Sequence, residues 1–142
     1  MSEPRRPGGL WSDSRDSAET QALYDDWAKR YDADMDASGM VGTLRLAEML
    51  ARVLPNRDAL VWDFGCGTGL GGAAMAEAGF TNLEGTDISS GMLEQARAKG
   101  IYRALHLADP EAPPVIPDAA AAVTACGSIC VGAAPAPVLD QA

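Results

Sequence analysis

The residues with most to say about chemistry are an acid and three glycines in strict alternation, Asp63-x-Gly65-x-Gly67-x-Gly69, behind the apolar run Ala59-Leu60-Val61-Trp62. Alternating glycines let the backbone take φ values closed to other residues and bring its N–H groups close to a ligand. A helix starting directly after such a turn points its positive end at the same place. Gly67-x-Gly69-x-x-Gly72 also satisfies the dinucleotide pattern, so a nicotinamide cofactor is one reading. Asp87 lies twenty positions beyond Gly67. In a βαβ unit that spacing puts its carboxylate at the carboxyl end of the neighbouring strand, where it can accept both hydroxyls of a ribose. The competing reading is an acid that complements a helix dipole.

The wording Asp63-Phe64-Gly65-Cys66-Gly67-Thr68-Gly69 resembles the first motif of class I S-adenosylmethionine (SAM) dependent methyltransferases. Upstream, Tyr24-Asp25-Asp26-Trp27-Ala28-Lys29-Arg30-Tyr31-Asp32 resembles the amino-terminal helix of small-molecule methyltransferases of the Williams-Beuren syndrome region type. The resemblance implies SAM as cofactor and a small molecule as methyl acceptor. It implies that Gly65, Cys66, Gly67 and Gly69 hold the methionine part, with Asp63 orienting its amino group. By the same resemblance Asp87 takes the ribose, Ile88 packs on the adenine, Asp109 reaches the adenine edge and Cys126 lines the methionine end. Tyr24, Trp27 and Tyr31 become pocket candidates, because in that family the helix closes over the cofactor. Two alternatives stay open: Asp109-Pro110 is also a common turn opening, and the three aromatics equally serve to dock a helix on the core. No residue stands out as a catalytic base, and no hydride-handling set supports the nicotinamide reading.

Several elements must position these residues. From Ala18, Leu23, Trp27 and Tyr31 recur every four residues as one apolar helical stripe, with Asp25, Asp26, Lys29 and Arg30 on the opposite face. A second helix is predicted over Thr43–Val53, ended by Pro55. Ala59–Trp62 is a buried strand with Asp63 at its end, Leu70–Ala78 a helix stopped by Gly79, and Asn82–Ile88 a second strand. Ser89 or Ser90 caps a helix that runs to Lys99, with Gly100 as its stop. Tyr102–Leu107 and Ala119–Ala125 supply strands three and four, separated by a proline-rich loop. His106, without a carboxylate or thiol at motif spacing, is read as structural. The fold expected is α/β: a Rossmann-like class I methyltransferase sheet with parallel strands 3-2-1-4 and helices on both faces. Its cofactor crevice lies at the switch point between strands 1 and 4.

Composition narrows the function classes. With 47% apolar and 22% charged residues in 142, the chain is globular and long enough for one domain with a core. A net charge of −9 argues against a surface that tracks nucleic-acid phosphates. No apolar run approaches a membrane span. Cys66, Cys126 and Cys130 form an odd set without metal-ligand spacing, which reads as reduced thiols in the cytoplasm. Residues 1–17 read as a disordered arm and 18–142 as a SAM-binding domain holding four of the family's seven strands, without the last ones. A bare strand-four edge would be a template for pairing with a partner, giving an oligomer. A non-catalytic relative is the alternative to an active enzyme.

Overall fold

A computed structural model describes residues 16–39, 41–112 and 115–126. In chain order it contains α1 (Ser17–Ala37), α2 (Gly42–Val53), β1 (Val61–Phe64), α3 (Leu70–Glu77), β2 (Leu83–Asp87), α4 (Ser90–Lys99), β3 (Ala104–Leu107) and β4 (Ala122–Thr124). The strands form one parallel sheet in the order β3-β2-β1-β4, as expected. In this register Asp63 lies between Gly85 of β2 and Thr124 of β4. That places the acid of the glycine motif in the middle of the sheet.

Strands β1 to β3 step in one direction through α3 and α4, so right-handed crossovers put both helices on one face. There Val61, Leu83, Ala74, Met75 and Phe80 pack with Ala47 and Leu50 of α2 into the main core. The opposite face carries Trp62, stacked on His106 with ring centroids 5.1 Å apart, and Glu84, which takes ion pairs from Arg103 and His106. These partners, Arg103 foremost, hold the Glu84 carboxyl below its usual range. His106, exposed at its edge of the sheet, thus has a carboxylate neighbour that spacing along the chain does not reveal. The β3-to-β4 connection holds no helix among the described residues.

The start of α1 differs from the expectation. Asp16 caps it by accepting from the Glu19 N–H at 2.8 Å, while the Glu19 side chain accepts from the Asp16 N–H at 3.2 Å. This reciprocal box recruits Asp16 and Ser17 into the helix and its cap. Residues 1–15, the rest of the expected arm, lie outside the described residues. Asp25 is exposed, as expected of the polar face, and also ties α1 to α4. Its Oδ1 accepts from the Ser89 hydroxyl at 2.5 Å and the Gly91 N–H at 2.9 Å, at the start of α4.

Candidate cofactor site

The turn between β1 and α3 is built by three left-handed glycines, with φ of +63° at Gly65, +57° at Gly67 and +91° at Gly69. A Cβ on Gly67 would meet nothing within 4 Å, so that glycine answers to backbone geometry and to open space beside the turn. Asp87, at the end of β2, fixes the turn: its Oδ2 accepts from the Gly67 N–H at 2.9 Å and its Oδ1 from the Ser89 N–H at 2.9 Å. Burial raises the Asp87 carboxyl pKa, opposed in part by these N–H donors. The spacing from Gly67 to Asp87 therefore does what a βαβ unit demands, bringing the second strand's acid to the first strand's turn.

Asp63 is 3% exposed. Its Oδ2 accepts from the Tyr102 hydroxyl at 2.6 Å and its Oδ1 from the Thr124 hydroxyl at 3.1 Å. Burial pushes its carboxyl up to about 6, against the pull of those two donors. Among the described residues no lysine, arginine or histidine pairs with Asp63 or Asp87. The buried Asp63 and the half-buried Asp87, beside the glycine turn, suit a ligand that brings its own positive charge and its own hydroxyls. SAM has both, and the residues present fit it.

The cleft is lined by Asp63, Gly65, Cys66, Gly67, Thr68, Leu70 and Gly71 from the sheet side, with Tyr31 of α1, Thr43 of α2 and Cys126 completing it. Of the residues predicted from sequence, Asp63, Gly65, Cys66, Gly67, Tyr31 and Cys126 meet there. Asp87 joins them through Gly67. Gly69, Tyr24, Trp27, Ile88 and Asp109 are not among the lining residues. Gly69 closes the turn under Tyr102 and α4. Trp27 is 2% exposed, packs among Leu23, Tyr24, Tyr31 and Leu70, and donates its indole N–H to Asp34 at 2.6 Å. Asp109 is exposed and accepts from the Glu111 N–H at 2.9 Å, the geometry of a turn. The Ile88 carbonyl is taken by the Gln21 side chain at 2.8 Å.

Helix α1 is held over the cleft at three points. Gln21 and Asp25 grip the β2–α4 junction, while Asp32 accepts from the Thr68 hydroxyl and from Lys99 Nζ at 2.6 Å. Lys99 Nζ also donates to the Thr68 carbonyl at 2.6 Å. Sequence reasoning missed Tyr102, Thr124, Thr43, Thr68 and Lys99. For Thr68 the signal was present, since it stands inside the glycine motif; the others arrive by tertiary packing alone. Burial raises the Tyr31 hydroxyl to about 12, and it raises the Cys66 and Cys126 thiols as well. These three groups stay protonated near neutral pH, so they offer the cleft neither a thiolate nor a phenolate.

Comparison with known proteins agrees. Methyltransferase-like protein 27 of Homo sapiens is 44% identical over 95 residues, 65% of this chain. The chain spans 38% of that curated relative's length. The TehB-like SAM-dependent methyltransferase of Corynebacterium glutamicum superposes with a TM-score of 0.58 at 23% identity, over 75% of this chain and 56% of that one. A protein of Methanococcus maripaludis assigned as a SAM-dependent methyltransferase gives 0.53 at 18% identity, over 90% of this chain and 54% of that one. Both likenesses are of fold. The methyltransferase domain family matches residues 61–141, more than half of the chain, and with the glycine turn, Asp87 and the 3-2-1-4 sheet on the page the protein belongs to that family, the class I SAM-dependent methyltransferases.

Proposed function

We propose that this chain binds SAM in the cleft between the glycine turn and α1 and directs its methyl group to a small-molecule acceptor. The observation that carries the reading is the left-handed Gly65-Gly67-Gly69 turn clamped by Asp87, beside an Asp63 that has hydroxyl donors but no cationic partner among the described residues. Asp63 then faces the ammonium group, the glycine turn lies against the rest of the methionine part, and Asp87 accepts from the ribose hydroxyls. Ile88 and Asp109 serve the adenine, with Tyr31 of α1 covering the cofactor, Tyr24 and Trp27 seating that helix behind it, and Cys126 beside its methionine end. SAM supplies a methyl group already activated on a sulfonium. The chain's own task is to exclude water and align an acceptor atom, a matter of geometry more than of acid–base chemistry. Tyr31, Thr43 and Cys126, which enter the cleft opposite the glycine turn, are the residues placed to meet an acceptor.

The finer parts of the reading are proposals of the same kind. The Tyr24-to-Asp32 wording and the 44% identity to methyltransferase-like protein 27 support a place beside the Williams-Beuren region type. Reduced thiols support the cytoplasm. Among the described residues β4 pairs only with β1, and we place a second copy against its other edge.

Calorimetric titration of the 142-residue chain with SAM, with NAD as competitor and Asp87→Ala as control, tests the central reading. Saturable SAM binding that NAD leaves unchanged is expected. Asp87→Ala should weaken it about tenfold or more, since it removes the ribose acceptor and leaves two buried N–H groups unpaired. A folded chain that binds NAD and not SAM would overturn the reading.

A further inference from the structure

Tyr102 lies in the segment between α4 and β3, 39 positions from Asp63 and outside every motif of the chain. Its ring runs beneath the glycine turn. A Cβ on Gly72 would stand 2.2 Å from the Tyr102 hydroxyl and 2.5 Å from its Cζ, and a Cβ on Gly69 would stand 3.1 Å from its Cε2. Gly72 therefore has a packing reason to be glycine, since any side chain there would evict the ring. The ring's hydroxyl ends 2.6 Å from Asp63 Oδ2, while Thr124, the register neighbour of Asp63 on β4, holds Oδ1. Asp63 lines the cleft and Tyr102 does not, so Tyr102 reaches the cleft only through Asp63.

We propose that Tyr102 is a positioning residue for cofactor capture: threaded past Gly69 and Gly72, its hydroxyl fixes the Asp63 carboxylate at the cleft floor, turned toward the ligand's positive charge. Without the phenol, a carboxylate this buried would keep Thr124 as its remaining side-chain donor among the described residues. It would then rotate or take up a proton. The groups that face Asp63 are Asp87 at the end of β2, Cys66 in the turn and Cys126 beyond β4, besides Tyr102 and Thr124. From the helices, Tyr31 of α1, Thr43 of α2 and Gly71 of α3 line the same cleft. None of these is a cation. Proton uptake by Asp63 is therefore opposed mainly by its two hydroxyl donors, and Tyr102 makes the shorter bond.

This inference rests on the cleft being a SAM site, and the test separates the two. Tyr102→Phe keeps the ring and removes only the hydroxyl. The Asp63 carboxyl is followed by carbon-detected NMR in the ligand-free protein, and SAM affinity is measured from pH 6.5 to pH 8.5. The Asp63 midpoint is expected to rise by about one unit. The variant should bind SAM about threefold more weakly at pH 6.5, as such a shift implies, with the deficit closing by pH 8.5. A midpoint that does not move, or a loss of affinity equal at every pH, overturns the positioning role, the second outcome being that of a merely structural residue. Wild-type protein that is folded and does not bind SAM overturns the reading of the cleft and the inference with it. Wild-type binding matched by Tyr102→Phe at every pH overturns the inference alone.

Discussion

Asp63 is a buried carboxylate whose side-chain partners among the described residues are two hydroxyls, those of Tyr102 and Thr124. Its carboxyl lies at about 6 in the fold against 3.8 in the open chain, so the folded state binds more protons between those values. By linkage this contribution to stability is full below about pH 4 and is lost as pH rises through 6. Asp63→Asn keeps the shape without the charge. Its stability relative to wild type should improve by about 3 kcal/mol between pH 4 and pH 7, read from urea unfolding at each pH, while SAM binding weakens. A flat difference would mean that Asp63 is not the titrating group. Gly72 permits a second residue-scale test. Gly72→Ala ought to gain about 1 kcal/mol as a helix substitution, yet the collision with Tyr102 should make it net destabilising by about 1–3 kcal/mol. Adding Tyr102→Ala removes the collision, so the double variant should be less destabilised than the sum of the single ones.

At the scale of the element, α1 is a strap whose fastenings are polar and whose seat is aromatic. Trp27 anchors it internally, with Tyr31 edge-on at a 4.7 Å centroid distance, while Asp25 and Asp32 tie it to the two ends of α4. Lys99 and Asp32 are 23% and 43% exposed, so this ion pair contributes little to global stability. Asp32→Ala should cost about 1 kcal/mol or less in denaturant unfolding. It should nonetheless speed hydrogen exchange in the second half of α1 and leave β1 and β2 protected, because it loosens the strap locally. Equal acceleration throughout the sheet would show that the strap is part of the core.

For the whole molecule, the cleft is a seam where the parallel sheet, the crossover helix α3, α2 and the α1 strap converge, so a ligand bound there would tie them together. Saturating SAM at a hundred times its dissociation constant should stabilise the chain by about 2.7 kcal/mol. Since burial raises Asp63 to about 6, binding a cation to its ionised form draws off its proton near and below that pH. The SAM-induced rise in unfolding temperature should therefore shrink as pH falls below 6, read by scanning fluorimetry. A rise that grows toward low pH would place the cofactor away from this acid.

The sequence by itself determined the parts of this site that are set by local backbone geometry. Gly65, Gly67 and Gly69 were legible because left-handed φ values leave few other residues, and Asp87 because a strand–helix–strand unit has a nearly fixed length. The strand order was implied by the resemblance of the glycine motif to class I methyltransferases, and the sheet has it. One local signal was there and went unread: Asp16-Ser17-Ala18-Glu19 spells a capping box, hidden by the arm-like composition before it. Tertiary structure alone decided the rest. Tyr102 and Thr124 come to Asp63 from 39 and 61 positions away, and Lys99 comes to Thr68 from 31. Which aromatic of α1 faces the cleft was settled the same way, with Trp27 turned into the core and Tyr31 into the site. Contacts between side chains that distant depend on how helices and strands pack in three dimensions, and no spacing along one chain encodes that packing on its own.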